Sequence, residues 1–556
     1  MRLQPPIMLA AIVLLTCVLI AVAYRFYGAF LSRRCGLDDA RKTPAHVQND
    51  GVDFVPSRAS VVFGHHFSSI AGTGPIVGPI LAALYFGWGP AWLWIVIGAV
   101  FIGGVHDFGS MLMSIRNNGC SIAQTSRQII GEKTGRLFIL FVLIALVYVI
   151  VVFADLTAET FTASGVVATA SGWFVVTAVA FGFLVAKTRF SFAGAVWIFV
   201  PLTMAGLFLG EILPAPTASK NFWLAAVLLY CAVAAVMPVH YLLQPRDFLS
   251  SFFLYAVLAA GVLGILFTTP AIEGQFFVGF SNPAASPAFI APALFITIAC
   301  GACSGFHSIV ASGTTAKQLN CESDVRRVGY GGMLVEGILA TLSMGTIIVL
   351  SSGELAAIGG NPVWIFAAGL SKILAPLSVP ASFGADFALL AINTFLLTTL
   401  DTCTRLCRFL LEEFLDWRSL KSRYLGTVLV LVPPALLVFR SFDGQPAWRA
   451  AWPLFGSTNQ LLAALALLTF AVYLKVNRIK AGFAIFPTIA MLVMPLAALA
   501  MMAWQFWGGS PLLVWSSIAM FTLGIYVAWR ACLVLMRSDM PPGPDMGAPI
   551  TAPAKS

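Results

Sequence analysis

The chain has 556 residues, 59% hydrophobic and only 10% charged, with a mean hydropathy of +0.91 and a net charge of +9. Soluble domains carry about 25% charged residues, so the composition excludes a soluble enzyme or a nucleic-acid-binding domain. It predicts an all-α polytopic membrane protein lying in a lipid bilayer.

About fifteen apolar runs could span a membrane, at 7–31, 61–86, 91–115, 135–157, 166–186, 191–212, 222–243, 251–269, 288–316, 328–351, 383–405, 424–440, 452–474, 482–505 and 511–536. The first is too long for a signal peptide and no clean cleavage site follows it, so it reads as a retained transmembrane helix. The second contains FGHHFSSIAGTGPIVGP, from Phe63 to Pro79. Glycine and proline weaken or break a helix interior, and backbone freed at membrane depth must be satisfied by protein or by a water-filled cavity. A kinked core helix with structurally satisfied histidines is one reading of this stretch. The other is a discontinuous helix of the kind that builds transporter binding sites.

The ninth run is interrupted in the same way, at Cys300-Gly301-Ala302-Cys303-Ser304-Gly305-Phe306-His307. Two interrupted spans of opposite direction are what an inverted repeat predicts. The division is then a first helix and loop (1–60), a first repeat (61–212), two inserted helices (213–287), a second repeat (288–474), two further helices (475–537) and a disordered tail (538–556). A short apolar piece, 363–377, carries Lys372 and reads as re-entrant or interfacial.

The loops set the orientation. Twenty-six of the 32 basic residues fall on one side, among them Arg33, Arg34, Arg116, Arg127, Arg246, Lys317, Arg326, Arg405 and Lys475. The positive-inside rule makes that side cytoplasmic, with the N-terminus outside and the C-terminus inside. All ten cysteines lie in spans or on the cytoplasmic side, which argues against disulfides. The Cys300–Cys303 pair reads as small buried hydrophobes rather than a metal or redox site.

The free N–H groups of a broken helix favour anions. Substrate-binding candidates are therefore Gly72, Thr73 and Gly74 at the first break and Ser304 at the second, with His65, His66 and His307 able to bind a carboxylate or carry a proton. Gly313 and Thr314 join them because the spacing Gly64–His66–Gly72–Thr73 recurs at Gly305–His307–Gly313–Thr314. Mirrored depth, which an inverted repeat requires, does not accompany that match.

Acidic residues inside spans are costly and functional by default. Asp107, Asp155, Glu159, Glu336 and Asp401 qualify. Asp401 sits in LDTCTR with Thr404 and Arg405 on its own face. It either pairs with Arg405 as a structural lock or binds the coupling proton or sodium, with Thr404 and Asp155 as further ion-coupling candidates. Asp107, Arg405, Asn459 and Gln460 are the structural polar candidates, the last two bonding between helices. No Walker A sequence, HExxH or nucleotide fingerprint is present. No enzyme activity, cofactor or metal is expected.

FGHHFSSIAGTGPIVGPILAA, HDFGSM at 106–111, IRNNG at 115–119, HSIVASGTTAKQL at 307–319, TTLDTCTRLCR at 398–408 and PLFGSTNQLLAALAL at 453–467 resemble the carbon starvation protein (CstA) family over about residues 55–475. The resemblance implies a bacterial inner-membrane transporter for peptides or pyruvate, some members proton-coupled and induced when carbon runs short. It also implies a five-plus-five fold near the leucine transporter type. Late loops shorter than in longer members leave the substrate open. A channel or a nutrient-sensing receptor is the alternative, although the longest non-membrane segment, 32–60, is too short for an output domain.

Overall fold

A computed structural model describes residues 8–51, 54–187, 191–213, 217–237, 241–417, 420–440 and 445–537. The tail at 538–556 lies outside the described residues. Helices dominate what is described, and the only β pairing among those residues is two isolated bridges, Ser57 with Leu319 and Ser281 with Phe289.

Among the described residues, eleven helices are long and apolar enough to cross a membrane, and a bent pair makes a possible twelfth. The remaining runs expected as spans are helical but shortened, shifted or divided. Run 222–243 becomes Lys220–Val236, and run 424–440 becomes Leu420–Val438, which carries Pro433 and Pro434 inside it. Run 288–316 is divided into Ile290–Thr297 and Gly305–Gly313. Conversely, the helix expected at 251–269 starts earlier, at Leu243, and runs to Thr268. That extension brings Arg246 and Asp247 into a helix and buries both completely. Arg246, counted above among loop cations, is an interior residue.

The piece at 363–377 is a helix, Pro362–Leu374, followed by a 3-10 turn. Asn361 caps it by accepting from the Val363 N–H at 2.9 Å, and Lys372 donates to Glu354 at 2.7 Å. Outer helices leave large apolar side chains uncovered: Trp197 is 82% exposed and Phe486 77%. In water such a surface would aggregate; in lipid it is the ordinary solvent-facing side. The helices Gly331–Ile348 and Ala447–Val476, by contrast, are buried almost throughout. They form the centre against which both interrupted spans pack.

Candidate functional site

The second run breaks where its glycines predict. Ala59–Ile70 and Gly74–Phe86 meet at a 46° bend across Ala71, Gly72 and Thr73. The reason lies in the neighbours. A side chain on Gly74 would fall 2.3 Å from the Cys300 Sγ, and one on Gly78 would fall 2.5 Å from the Thr297 carbonyl oxygen. Gly301 in turn faces Pro75 and Pro79 at 3.6 Å. The two breaks thus lie against each other with backbone nearly touching backbone. The hydroxyl of Thr73 is fully buried there and has no hydrogen-bond partner.

Asn459 holds the second break open. Its Oδ1 accepts from the Phe306 N–H at 2.9 Å, and its Nδ2 donates to the Ser304 hydroxyl at 3.0 Å. One side chain from the Ala447–Val476 helix therefore satisfies backbone that the unwinding frees. The same helix approaches so closely that a Cβ on Gly305 would sit 2.4 Å from the Asn459 carbonyl oxygen. Gln460 donates to the Phe295 carbonyl on the other side of the break. Both residues do bond between helices.

Beside the second break lies a chain of titratable groups, all fully buried. His106 Nδ1 is 2.7 Å from one Asp107 oxygen, and His307 Nδ1 is 3.0 Å from the other. His307 Nε2 then lies 3.4 Å from Glu336. His66 is near but bonds elsewhere, its Nδ1 being 3.0 Å from the Thr315 hydroxyl. Each carboxylate sits just past a π-helical turn, Asp107 after Ala99–Gly103 and Glu336 after Arg326–Tyr330. Such turns are frequent at functional sites.

Asp401 takes a partner other than the residue one turn along its helix. Arg246 donates to it through one terminal nitrogen at 2.9 Å and holds the other 2.7 Å from its second oxygen, that nitrogen donating to the Tyr230 hydroxyl, which in turn donates to Asp401 at 3.1 Å. Arg405 instead donates to the carbonyls of Ala234 and Met237, each at 2.7 Å. Thr404 bonds back to the Leu400 carbonyl of its own helix at 2.7 Å. Asp247, next to Arg246, faces His65 at 3.4 Å and Ser69 at 3.5 Å. Asp155 is far from all of these. It accepts from Lys220 at 2.8 Å and from the Trp448 N–H at 3.0 Å. Glu159 accepts from the Trp448 indole and from Asn361.

The substrate-binding candidates other than His66 therefore separate into three places. Gly72, Thr73, Gly74 and Ser304 meet at the crossing, and His307 joins Asp107 and Glu336. His65, Gly313 and Thr314 line a cavity of about 300 Å³, together with Lys317, Arg405 and Glu413. A second cavity, of about 520 Å³, opens past the opposite ends of the breaks, against Tyr85, Thr297, Trp448, Arg449 and Trp452. Reasoning from sequence missed Arg246, Asp247 and Tyr230. An Arg-Asp pair leading directly into the apolar run FLSSFFLYAVLAA was the available signal.

The described residues thus form a multi-pass helical bundle with two interrupted helices and buried charge at its centre. The sequence matches the carbon starvation protein CstA family over residues 8–363 and 354–498, and the chain belongs to that family. It is 33% identical over 520 residues to the peptide transporter CstA of Campylobacter jejuni, covering 80% of this chain and 73% of that one. It is 30% identical over 550 residues to the pyruvate/proton symporter BtsT of Escherichia coli, covering 82% and 76%. Among solved structures, MhsT in complex with L-phenylalanine overlaps 86% of this chain and 98% of its own, at 13% identity and a TM-score of 0.48.

Proposed function

We propose that the protein is a secondary active transporter of the bacterial inner membrane, importing peptides or small carboxylates such as pyruvate together with a proton when carbon is scarce. The observation that carries this reading is the crossing of two broken helices with a separate cavity beyond each end. A closed centre between two vestibules is the geometry that alternating access needs, and it speaks against an open channel. The similarity to a named pyruvate/proton symporter and to named peptide transporters supports both substrate classes.

The substrate carboxylate would meet the crossing from the vestibule that holds His65, Gly313, Thr314, Lys317 and Arg405, with Thr73 supplying an unspent hydroxyl. Bringing an anion into a negative-inside cell costs about 2.3 kcal/mol per charge per 100 mV, so a monocarboxylate needs at least one accompanying cation. On this reading, residues 61–212 and 288–474 form the two inverted halves, and a proton is favoured over sodium because the buried centre is built of histidine and carboxylate. The test is uptake of labelled pyruvate and labelled dipeptides into proteoliposomes with and without an imposed pH gradient. Uptake of neither substrate would overturn the proposal. In the same vesicles Thr73→Val, which keeps shape and removes the hydroxyl, is expected to weaken uptake at unchanged protein level; unaltered kinetics would remove this hydroxyl from the substrate path.

The charge asymmetry supports an outside N-terminus and an inside C-terminus. Alkaline phosphatase, active only outside, is expected to be silent when fused after residue 537. An active fusion would reverse the orientation.

A further inference from the structure

Glu336 presents an accounting problem. Its side chain is wholly buried, neither of its oxygens has a hydrogen bond, and no arginine or lysine pairs with it or with Asp107 among the described residues. An ionised carboxylate left so far from water is too costly to persist. The groups that face it are few. They are His307, Asp107 beyond it, Cys300 and Cys303 from the second break, and, across Gly332, His66 from the first broken helix.

Proton counting narrows the possibilities. Both oxygens of Asp107 face a histidine Nδ1, so as a carboxylate it accepts from His106 and His307. That bond fixes the tautomer of His307, leaving its Nε2 toward Glu336. Between that Nε2 and the Glu336 carboxylate a single proton serves either partner, and the trio Asp107–His307–Glu336 then carries one negative charge. A second proton gives an imidazolium beside a carboxylic acid and brings the trio to zero. The cluster therefore holds one exchangeable proton beyond its minimum, with no other group required to change.

Asp401 is placed differently: it meets Arg246 directly, while Asp247 faces the same guanidinium at 3.9 Å, so a proton added to Asp401 would break the closer of two contacts to a buried cation.

Resting on the reading of the protein as a proton-coupled transporter, we propose that the trio Asp107–His307–Glu336 is the binding site of the transported proton. The proton enters from one vestibule, binds at His307 Nε2 or a Glu336 oxygen, and leaves to the other vestibule with nothing else consumed. His307 lies two residues beyond Gly305, in the half-helix that Asn459 caps. Loading the site therefore alters the charge at the edge of the second break, where the bound substrate would feel it. The two π-helical turns beside Asp107 and Glu336 give the flanking helices a place to adjust, since Gly329 at one turn already lies against the Asp107 backbone, 3.2 Å from the site a Cβ would take.

The test uses the full-length protein in proteoliposomes with the membrane potential clamped at zero. A one-unit inward pH gradient through one proton gives about tenfold accumulation of labelled pyruvate or dipeptide. Glu336→Gln is expected to reduce this to no accumulation while substrate counterflow, which needs no net proton movement, continues. Asp401→Asn and Asp247→Asn, where folded, are expected to retain accumulation. Wild-type vesicles that show uptake without any response to the gradient would refute proton coupling itself, a different failure. Accumulation by Glu336→Gln equal to wild type, or its loss in Asp247→Asn instead, would overturn this assignment. Should Glu336→Gln also lose counterflow, infrared difference spectra across a pH titration decide. A protonated buried carboxyl band present in the wild type and absent from the variant supports the site, and a band present in both refutes it.

Discussion

Arg246→Ala is expected to destabilise the protein by about 3–5 kcal/mol, the usual consequence of removing one partner from a buried ion pair. Arg246 is fully buried, faces both oxygens of Asp401 at 2.7 and 2.9 Å, and lies 3.9 Å from Asp247 as well. Without it two carboxylates share an interior with only Tyr230, Ser69 and the buried vestibule residue His65 for relief. Thermal unfolding in detergent would register the loss as a large drop in melting temperature. The double variant Arg246→Met with Asp401→Leu is expected to recover most of it, because well-packed apolar replacements of a buried pair are often neutral. A single variant that melts with the wild type would show that the pair contributes little and would reopen Asp401 as a group free to change its charge. The LDTCTR motif raises a lock with Arg405 or a coupling site; the structure pairs Asp401 with Arg246 instead, 155 residues away in sequence, and a lock made with that residue is the reading this prediction tests.

The second large effect concerns the crossing. Gly74→Leu is expected to abolish transport, since even its first side-chain carbon would overlap the Cys300 Sγ at 2.3 Å and the Cys300 Cβ at 2.6 Å. Overpacking of this kind typically costs about 1–3 kcal/mol and shifts backbone. The obstruction at Gly74 is a side chain, so Gly74→Ala combined with Cys300→Gly is expected to regain uptake. At Gly78 the obstruction is the carbonyl of Thr297, at 2.5 Å. No neighbouring substitution can remove a carbonyl, and Gly78→Ala is expected to remain inactive in every background. Uptake rates normalised to folded protein would check both. Activity in Gly78→Ala would mean that the two breaks do not need this contact.

Much of the centre could be read from the sequence because broken helices announce themselves. Gly72-Thr73-Gly74-Pro75 and the glycines at 301 and 305 stand out within runs otherwise apolar enough to span, and both breaks occur there. Asn459 and Gln460, uncharged polar groups within a span, had to bond between helices and do. What could not be read was pairing across distance. Periodicity places a residue on a face but does not say which helix that face meets, so the nearest cation the sequence offers Asp401 is Arg405, one turn along. A hydropathy window discards the start of the Arg246 helix, where Pro245 and two charges fall within its first turns, and so leaves Arg246 in a loop. Glu336 was legible as a costly intramembrane acid, yet nothing in GGMLVEGIL shows that His307 approaches it.

The tight glycine contacts bear on how the molecule can move. Gly74 and Gly78 lie against Cys300 and Thr297, Gly456 against the Ile296 carbonyl and Gly305 against Asn459, each too close to admit a side chain. Nothing at these junctions is long enough to rearrange, so three stretches from distant parts of the chain behave as one mechanical part. The contact from Gly72 to the Ala381–Phe414 helix is of another kind, made to the hydroxyl of Thr399 in a face that also carries Thr398 and Thr402. Hydroxyls that bond to their own helix, as Thr398 and Thr399 do, ask for no fixed partner across the seam. Slip is cheapest there, and on the proposed alternating-access reading the stroke would run along that threonine-lined track.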